Sequence, residues 1–137
     1  MGKKIIIVTI LLAIVAGVGF LADYLLSVQR YKDMIANITY VNVNASDVPD
    51  GTYIGDYDAG FISAKVEVAV ENGMITNITL LEHHNERGKS AEGIVNEIVA
   101  KQKIDVDAVS GATNSSIVIK KAVDNALSNV NSYPALD

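Results

Sequence analysis

The chain has 137 residues, of which half are hydrophobic and a fifth are charged, and its net charge is −5. This composition excludes a largely disordered polypeptide, and the absence of cysteine excludes disulfides, thiolate metal sites and iron–sulfur clusters. Residues 50–137 carry seven basic and thirteen acidic side chains, a net charge of −6. Such an acidic part lacks the basic face that binds a phosphate backbone, so we expect no nucleic acid partner.

Residues 1–26 are predicted to form a membrane anchor. The eighteen residues from Ile5 to Ala22 are uncharged, and a helix of that length spans roughly 27 Å, close to the hydrocarbon thickness of a lipid bilayer. Two lysines precede the apolar stretch, which predicts a cytoplasmic N-terminus and an extracytoplasmic domain in a single-pass protein of the cell membrane. A cleaved signal peptide is the alternative, although cleavage after Ala22 would place the bulky Phe20 where a small residue is preferred.

Residues 27–49 are predicted to connect this anchor to a folded domain. The segment from Val28 to Ile38 can continue the helix as a stalk, and residues 37–43 alternate in the manner of a strand. The turn-forming residues from Asp47 to Gly51 then mark the start of the domain.

The domain is predicted over residues 50–130, with a tail over residues 131–137. A first strand is expected around residues 53–57. A hairpin follows, because alternating valines lead into Asn72-Gly73, the pair most typical of a two-residue hairpin turn. The return strand is expected to place four side chains on one face: Met74, Thr76, Ile78 and Leu80.

Two amphipathic helices are predicted after the hairpin. The first has a stripe that includes Ala91, Ile94 and Ile98, with Ser90 as its N-cap. The second has a similar apolar stripe with charged residues on its outer side: Lys120, Lys121 and Asp124. Strands followed by helices predict an α+β domain, in which helices pack on one face of an antiparallel sheet.

The segment between the two helices combines a glycine with several hydroxyl side chains. Gly111 can adopt backbone conformations that other residues avoid, and the following helix begins with N–H groups that attract anions. A phosphate is a natural ligand there, with hydroxyls available from Thr113, Ser115 and Ser116. The alternative is that Ser110 or Thr113 merely caps the helix.

The order of residues in this segment, Asp107-x-x-Ser110-Gly111-Ala112-Thr113-x-x-Ser116, resembles the flavinylation motif of the FMN-binding domain family. The family includes covalently flavinylated subunits of sodium-pumping NADH:quinone oxidoreductases and of related membrane electron-transfer complexes. The resemblance covers about residues 50–128. It includes Asp50-Gly51-Thr52-Tyr53-x-Gly55 as the opening strand, the central hairpin, and Ala122-Val123-x-x-Ala126-Leu127 as the closing helix.

The resemblance implies that Thr113 carries FMN through a phosphoester bond, which a separate flavin transferase makes from FAD. It also implies that the transferase reads Asp107, Ser110, Gly111 and Ala112, and that some of the motif residues, with Ser116 among them, line the phosphate site. The flavin would relay electrons between membrane or extracytoplasmic redox proteins. The family resemblance therefore favours an electron-transfer flavoprotein, without catalytic residues of its own, over a stand-alone enzyme.

The loop after the hairpin departs from the broad family pattern. Many members have a histidine followed by glutamate, threonine, proline and glycine, whereas this chain has Arg87 in place of the threonine–proline pair. His84, Glu86 and Gly88 can still be matched, as flavin-ring contacts implied by the resemblance. The neighbouring His83 is expected on the opposite face of the strand, so the two histidines are not expected to share a metal ion.

Two other functions remain open from the sequence. The domain could bind a ligand non-covalently as a binding or sensing module. Alternatively, it could be a flavin reductase that acts on a specific small acceptor.

Overall fold

The structure, a computed structural model, describes residues 1–130, and the predicted tail at residues 131–137 lies outside the described part. The chain divides into two compact units, Met1–Asp33 and Met34–Asp137. Helix α1, Gly2–Ala36, has no buried residue and is long and apolar enough to cross a membrane. The predicted continuation of the apolar helix beyond Ala22 is confirmed, since a single helix ends only at Ala36.

The domain begins with a three-stranded antiparallel sheet in the order β1-β2-β3. The strands are β1, Gly51–Asp58; β2, Ser63–Glu71; and β3, Met74–His84. Asn72 and Gly73 join β2 to β3 with φ angles of 52° and 74°, the left-handed pair that a tight hairpin turn requires. The predicted first strand and hairpin are therefore confirmed.

The face that β3 buries differs from the prediction. Ala69 pairs with Asn77 and Val70 with Ile75, so Thr76 is an extra residue in a β-bulge. The bulge changes the alternation, and the buried residues are Ile75 and Ile78 while Met74 is exposed. The predicted face through Met74 and Thr76 is thus wrong, because a strict period of two cannot anticipate a bulge.

Two helices complete the domain: α2, Ile94–Lys101, and α3, Thr113–Ser128. A short 3-10 helix, Lys89–Gly93, precedes α2 and contains Ser90, so the prediction that Ser90 caps the helix is wrong. The apolar stripe of the first helix is confirmed, since Ala91, Ile94 and Ile98 are fully buried. The valines of β2 and the apolar stripe of α3 are buried with them, as the α+β prediction requires.

The outer side of α3 is covered rather than exposed. Residues 37–43, which we call the strap, form no strand, contrary to the prediction. Instead the Asp124 carboxylate accepts hydrogen bonds from the backbone N–H groups of Val41 and Asn42, at 3.0 and 2.9 Å. Asp124 is fully buried and Lys120 is 7% exposed. The prediction that these two residues face solvent is wrong, because sequence periodicity did not reveal that the strap crosses this face.

Candidate functional site

The candidate site lies where residues 102–112, which we call the motif loop, enter α3. The loop contains no helix or strand and turns at Gly111, whose φ is +80°. The backbone N–H of Ala112 closes the turn by donating to the Val109 carbonyl at 3.0 Å. A Cβ built on Gly111 meets no atom within 4 Å. The glycine is therefore required by the backbone conformation, and the space beside it is open to another molecule.

Ser116 organises the motif loop from inside the domain. Its hydroxyl donates to the Ala112 carbonyl at 2.8 Å and accepts from the backbone N–H of Val109 at 3.0 Å. The side chain is completely buried. Ser116 thus holds both ends of the turn around Gly111, which is a supporting role.

Thr113 is the first residue of α3 and is exposed. The N-cap residue is Ala112, which makes no side-chain cap hydrogen bond. The alternative that Ser110 or Thr113 merely caps the helix is therefore wrong. The backbone N–H of Ser116 makes the first intrahelical hydrogen bond, to Ala112. The Thr113 hydroxyl accordingly belongs to the positively polarised end of a 16-residue helix.

The other motif residues divide by exposure. Asp107, Ser110 and Gly111 are exposed, whereas Ala112 is buried. The exposed residues and Thr113 can be reached by a second protein. The sequence motif predicted all of them as site residues. Their exposure distinguishes the residues that a second protein can contact from the buried residues that support the loop.

The loop after β3 meets the first turn of α3 through Gly88. A Cβ on Gly88 would overlap the Ser115 hydroxyl, so the two residues are in direct contact. The side-chain oxygen of Asn85 accepts a hydrogen bond from the backbone N–H of Gly88 at 2.8 Å and shapes this approach. Of the three residues predicted to contact the flavin ring, Gly88 is thus the one that the fold places in contact with α3.

The two neighbouring histidines occupy opposite faces of β3, as predicted. The His84 side chain is exposed and its Nδ1 lies 3.3 Å from the Ser63 hydroxyl. The His83 side chain is only 2% exposed, and its Nδ1 lies 3.1 Å from a Glu92 carboxylate oxygen. His83 is the histidine that points inward, and the comparison with the family motif did not select it. The pairing of the hairpin strands could have indicated which face of the sheet its side chain occupies. The predicted ring contacts of His84 and Glu86 stay predictions, and Glu86 is exposed.

Two buried polar atoms near this region have no hydrogen-bond partner among the described residues: His83 Nε2 and the Ser115 hydroxyl. Buried polar atoms are ordinarily hydrogen-bonded, so the hydrogen-bonding capacity of these two groups is unsatisfied within the described residues. Ser115 belongs to the first turn of α3, beside Thr113. The donor set at this helix end fits a phosphate-bearing ligand.

Tyr40 of the strap covers the same helix. Its hydroxyl lies 3.3 Å from the Ile117 carbonyl, to which it donates. Burial raises the pKa of Tyr40 to about 12, and the charges of Asp124 and Asp105 contribute to the increase. The phenol is therefore neutral at physiological pH.

The fold is a small α+β domain, and its candidate site lies at the start of its last helix. The family description "FMN-binding domain" matches residues 60–128, which include β2, β3, α2, the motif loop and α3. The chain belongs to the FMN-binding domain family, and this membership supports a flavin-binding role with FMN as the cofactor. No curated protein and no solved structure matches the chain.

Proposed function

We propose that the protein is a membrane-anchored extracytoplasmic flavoprotein that carries FMN covalently on Thr113 and relays electrons between redox proteins. The observation that carries the proposal is that Thr113 is exposed and is the first residue of α3, in a member of the FMN-binding domain family. Helix α1 supports the anchoring, and the two lysines before its apolar stretch support a cytoplasmic N-terminus.

Attachment is a phosphoryl transfer from FAD, made by a separate flavin transferase. A bond forms between Thr113 Oγ1 and the phosphorus of the FMN half of FAD, and the bond from that phosphorus to the bridging oxygen breaks. AMP leaves with the bridging oxygen, and the hydroxyl proton passes to a base of the transferase or to water. No electron is gained or lost in this step.

Several features of the domain suit a phosphate at this position. The positive end of α3 stabilises the phosphate charge, and Ser115, two residues after Thr113, has a hydroxyl without a partner among the described residues. Ser116 holds the turn that presents Thr113. Asp107 and Ser110 are exposed, as residues read by a transferase must be.

The remainder of the cofactor would extend from Thr113 toward neighbouring loops. Gly88, in the loop after β3, contacts Ser115 in the first turn of α3. In the same loop, Asn85 Nδ2 lies 3.2 Å from His83 Nδ1. Bound FMN supplies one- and two-electron redox chemistry, while the protein sets its position and environment.

The test is the intact mass of the full-length chain, produced in membranes with an active flavin transferase. We expect a mass gain equal to one phosphoester-linked FMN and yellow protein that survives denaturation. Thr113→Ala is expected to lose both signals, and the control Thr52→Ala, an exposed threonine of β1, is expected to keep them.

Other outcomes would assign a different function. Flavin that binds Thr113→Ala as well as wild type, and is released on denaturation, would favour a non-covalent binding module. Saturable turnover with one small acceptor, in place of exchange with several redox proteins, would favour a reductase. No mass gain in wild type, with a transferase proven active on another substrate, would overturn covalent attachment.

A further inference from the structure

Lys120 is a buried cation near the middle of α3. Its side chain is 9% exposed, and its ammonium group donates a hydrogen bond to the Val106 carbonyl at 2.8 Å. The same nitrogen lies 3.5 Å from an Asp105 carboxylate oxygen and 5.3 Å from the centre of the Tyr40 ring. Burial of a charge is costly unless it is paired and hydrogen-bonded. The partners of Lys120 lie outside its own helix, in the motif loop and the strap.

The contact with Val106 is the most consequential of the three. Asp105 is 83% exposed, and ion pairs to exposed carboxylates contribute little because water screens them. The Val106 carbonyl belongs to a buried residue, and the hydrogen bond to it is short and charge-assisted. Lys120 therefore acts mainly on the backbone of the motif loop.

Two side chains of α3 hold the motif loop on either side of Asp107. Lys120 binds the carbonyl of Val106, and Ser116 accepts from the N–H of Val109. Only residues 107 and 108 lie between these two points. The exposed Asp107 is thus presented from a short segment whose two ends are fixed to the helix that begins at Thr113.

We propose that Lys120 is a positioning residue for flavin attachment: by holding the Val106 carbonyl, it presents Asp107 and the turn before Thr113 to the flavin transferase. The ammonium group lies over the Tyr40 ring, so the strap before the family-matched region takes part in the same arrangement. This inference rests on the proposed function.

The test compares initial rates of FMN attachment in full-length membrane protein, together with thermal unfolding midpoints and hydrogen exchange. Lys120→Met keeps the length and apolar contacts of the side chain but removes the donor. We expect its attachment rate to fall by about tenfold or more, as displacement of reacting groups does. Amide exchange should accelerate in residues 105–109 and stay unchanged in β2.

A control separates positioning from stability. Ile98 is buried in α2, outside the motif loop, and Ile98→Val lowers stability by removing a buried methyl group while every hydrogen-bonding group of the motif loop is retained. We expect Ile98→Val to attach FMN at the wild-type rate even when its unfolding midpoint is reduced as much as that of Lys120→Met. Equal attachment rates in Lys120→Met and wild type would overturn the positioning role.

The remaining outcomes are also decisive. If Lys120→Met does not unfold cooperatively, Lys120→Gln, whose amide ends short of the Val106 carbonyl, replaces it in the same comparison. If neither variant folds, Lys120 supports the whole domain and the positioning role is overturned. If wild type attaches no FMN, the proposed function is overturned and this inference with it. If wild type and both variants attach FMN at the same rate, this inference alone is overturned.

Discussion

Gly88 and Ser115 are in such close contact that no side chain fits between them. Gly88 lies in the loop after β3, and Ser115 lies in the first turn of α3, so this contact joins the two segments that the sequence predicted to hold the cofactor. The Ser115 hydroxyl has no partner among the described residues. The position of the first turn of α3 relative to the loop after β3 therefore depends on the absence of a side chain at residue 88.

Replacement of Gly88 by alanine is expected to push the β3 loop away from α3. The added methyl group overlaps Ser115, and overpacking of this kind costs about 1–3 kcal/mol of unfolding free energy. Flavin content should fall as well, because the first turn of α3 is displaced. Gly93→Ala is the matched control, since a Cβ at that position meets no atom within 4 Å. Equal flavin content in the two variants would contradict the expectation.

Gly55 is the corresponding point of close approach under the other half of α3. A Cβ at Gly55 would overlap the Ala122 carbonyl and the backbone of Ala126. We expect Gly55→Ala to lower the unfolding free energy by about 1–3 kcal/mol or more, because helix backbone cannot move aside as a flexible side chain can. Denaturant unfolding provides the measurement. Ile54→Ala, at an exposed position of the same strand, should change stability far less.

Removal of the Asp124 carboxylate is expected to release the strap from α3. Asp124 accepts from the backbone of Val41 and Asn42, and also pairs with Lys121 at 2.8 Å. Asp124→Ala leaves these donors without their partner, at a cost of about 3–5 kcal/mol for a broken buried ion pair. Hydrogen exchange should accelerate at residues 41 and 42. The control Glu97→Ala breaks an exposed pair with Lys101 and should change neither exchange nor stability appreciably.

The raised pKa of Tyr40 predicts a specific loss of stability at alkaline pH. In the unfolded chain the phenol ionises near pH 10, whereas burial and the charges of Asp124 and Asp105 raise the folded pKa to about 12. Folding thus favours the protonated form, and this contribution is present below pH 10 and is lost as the pH rises from 10 to 12. Unfolding measurements on Tyr40→Phe should lack that part of the decline. Identical pH profiles for the variant and wild type would contradict the assignment.

Local periodicity and turn chemistry were sufficient to predict most of the fold. Residues close together in the sequence are sufficient to determine the apolar stretch of α1, the Asn72-Gly73 turn and the apolar stripes of α2 and α3. The site segment was also readable, because the motif depends on a glycine and a helix start only a few residues apart. Thr113 accordingly lies at the start of α3, as the sequence indicated.

The tertiary structure decided which side chains of these elements are covered. Lys120 and Asp124 have the spacing of solvent-facing residues, yet the strap, about eighty positions earlier in the chain, buries both. Likewise the bulge at Thr76 changed the buried face of β3 through the register of its partner strand.

At the candidate site, too, the sequence predicted some features and the tertiary structure decided others. The sequence by itself determined that a threonine follows a glycine turn at the start of a helix, and it left open whether Ser110 or Thr113 caps that helix. Only the tertiary structure assigned Ser116 and Lys120 to the backbone of the motif loop and brought Gly88 against Ser115. The physical reason is that periodicity reports a residue's relation to its own helix or strand, whereas burial and hydrogen bonding depend on segments that are distant in the chain.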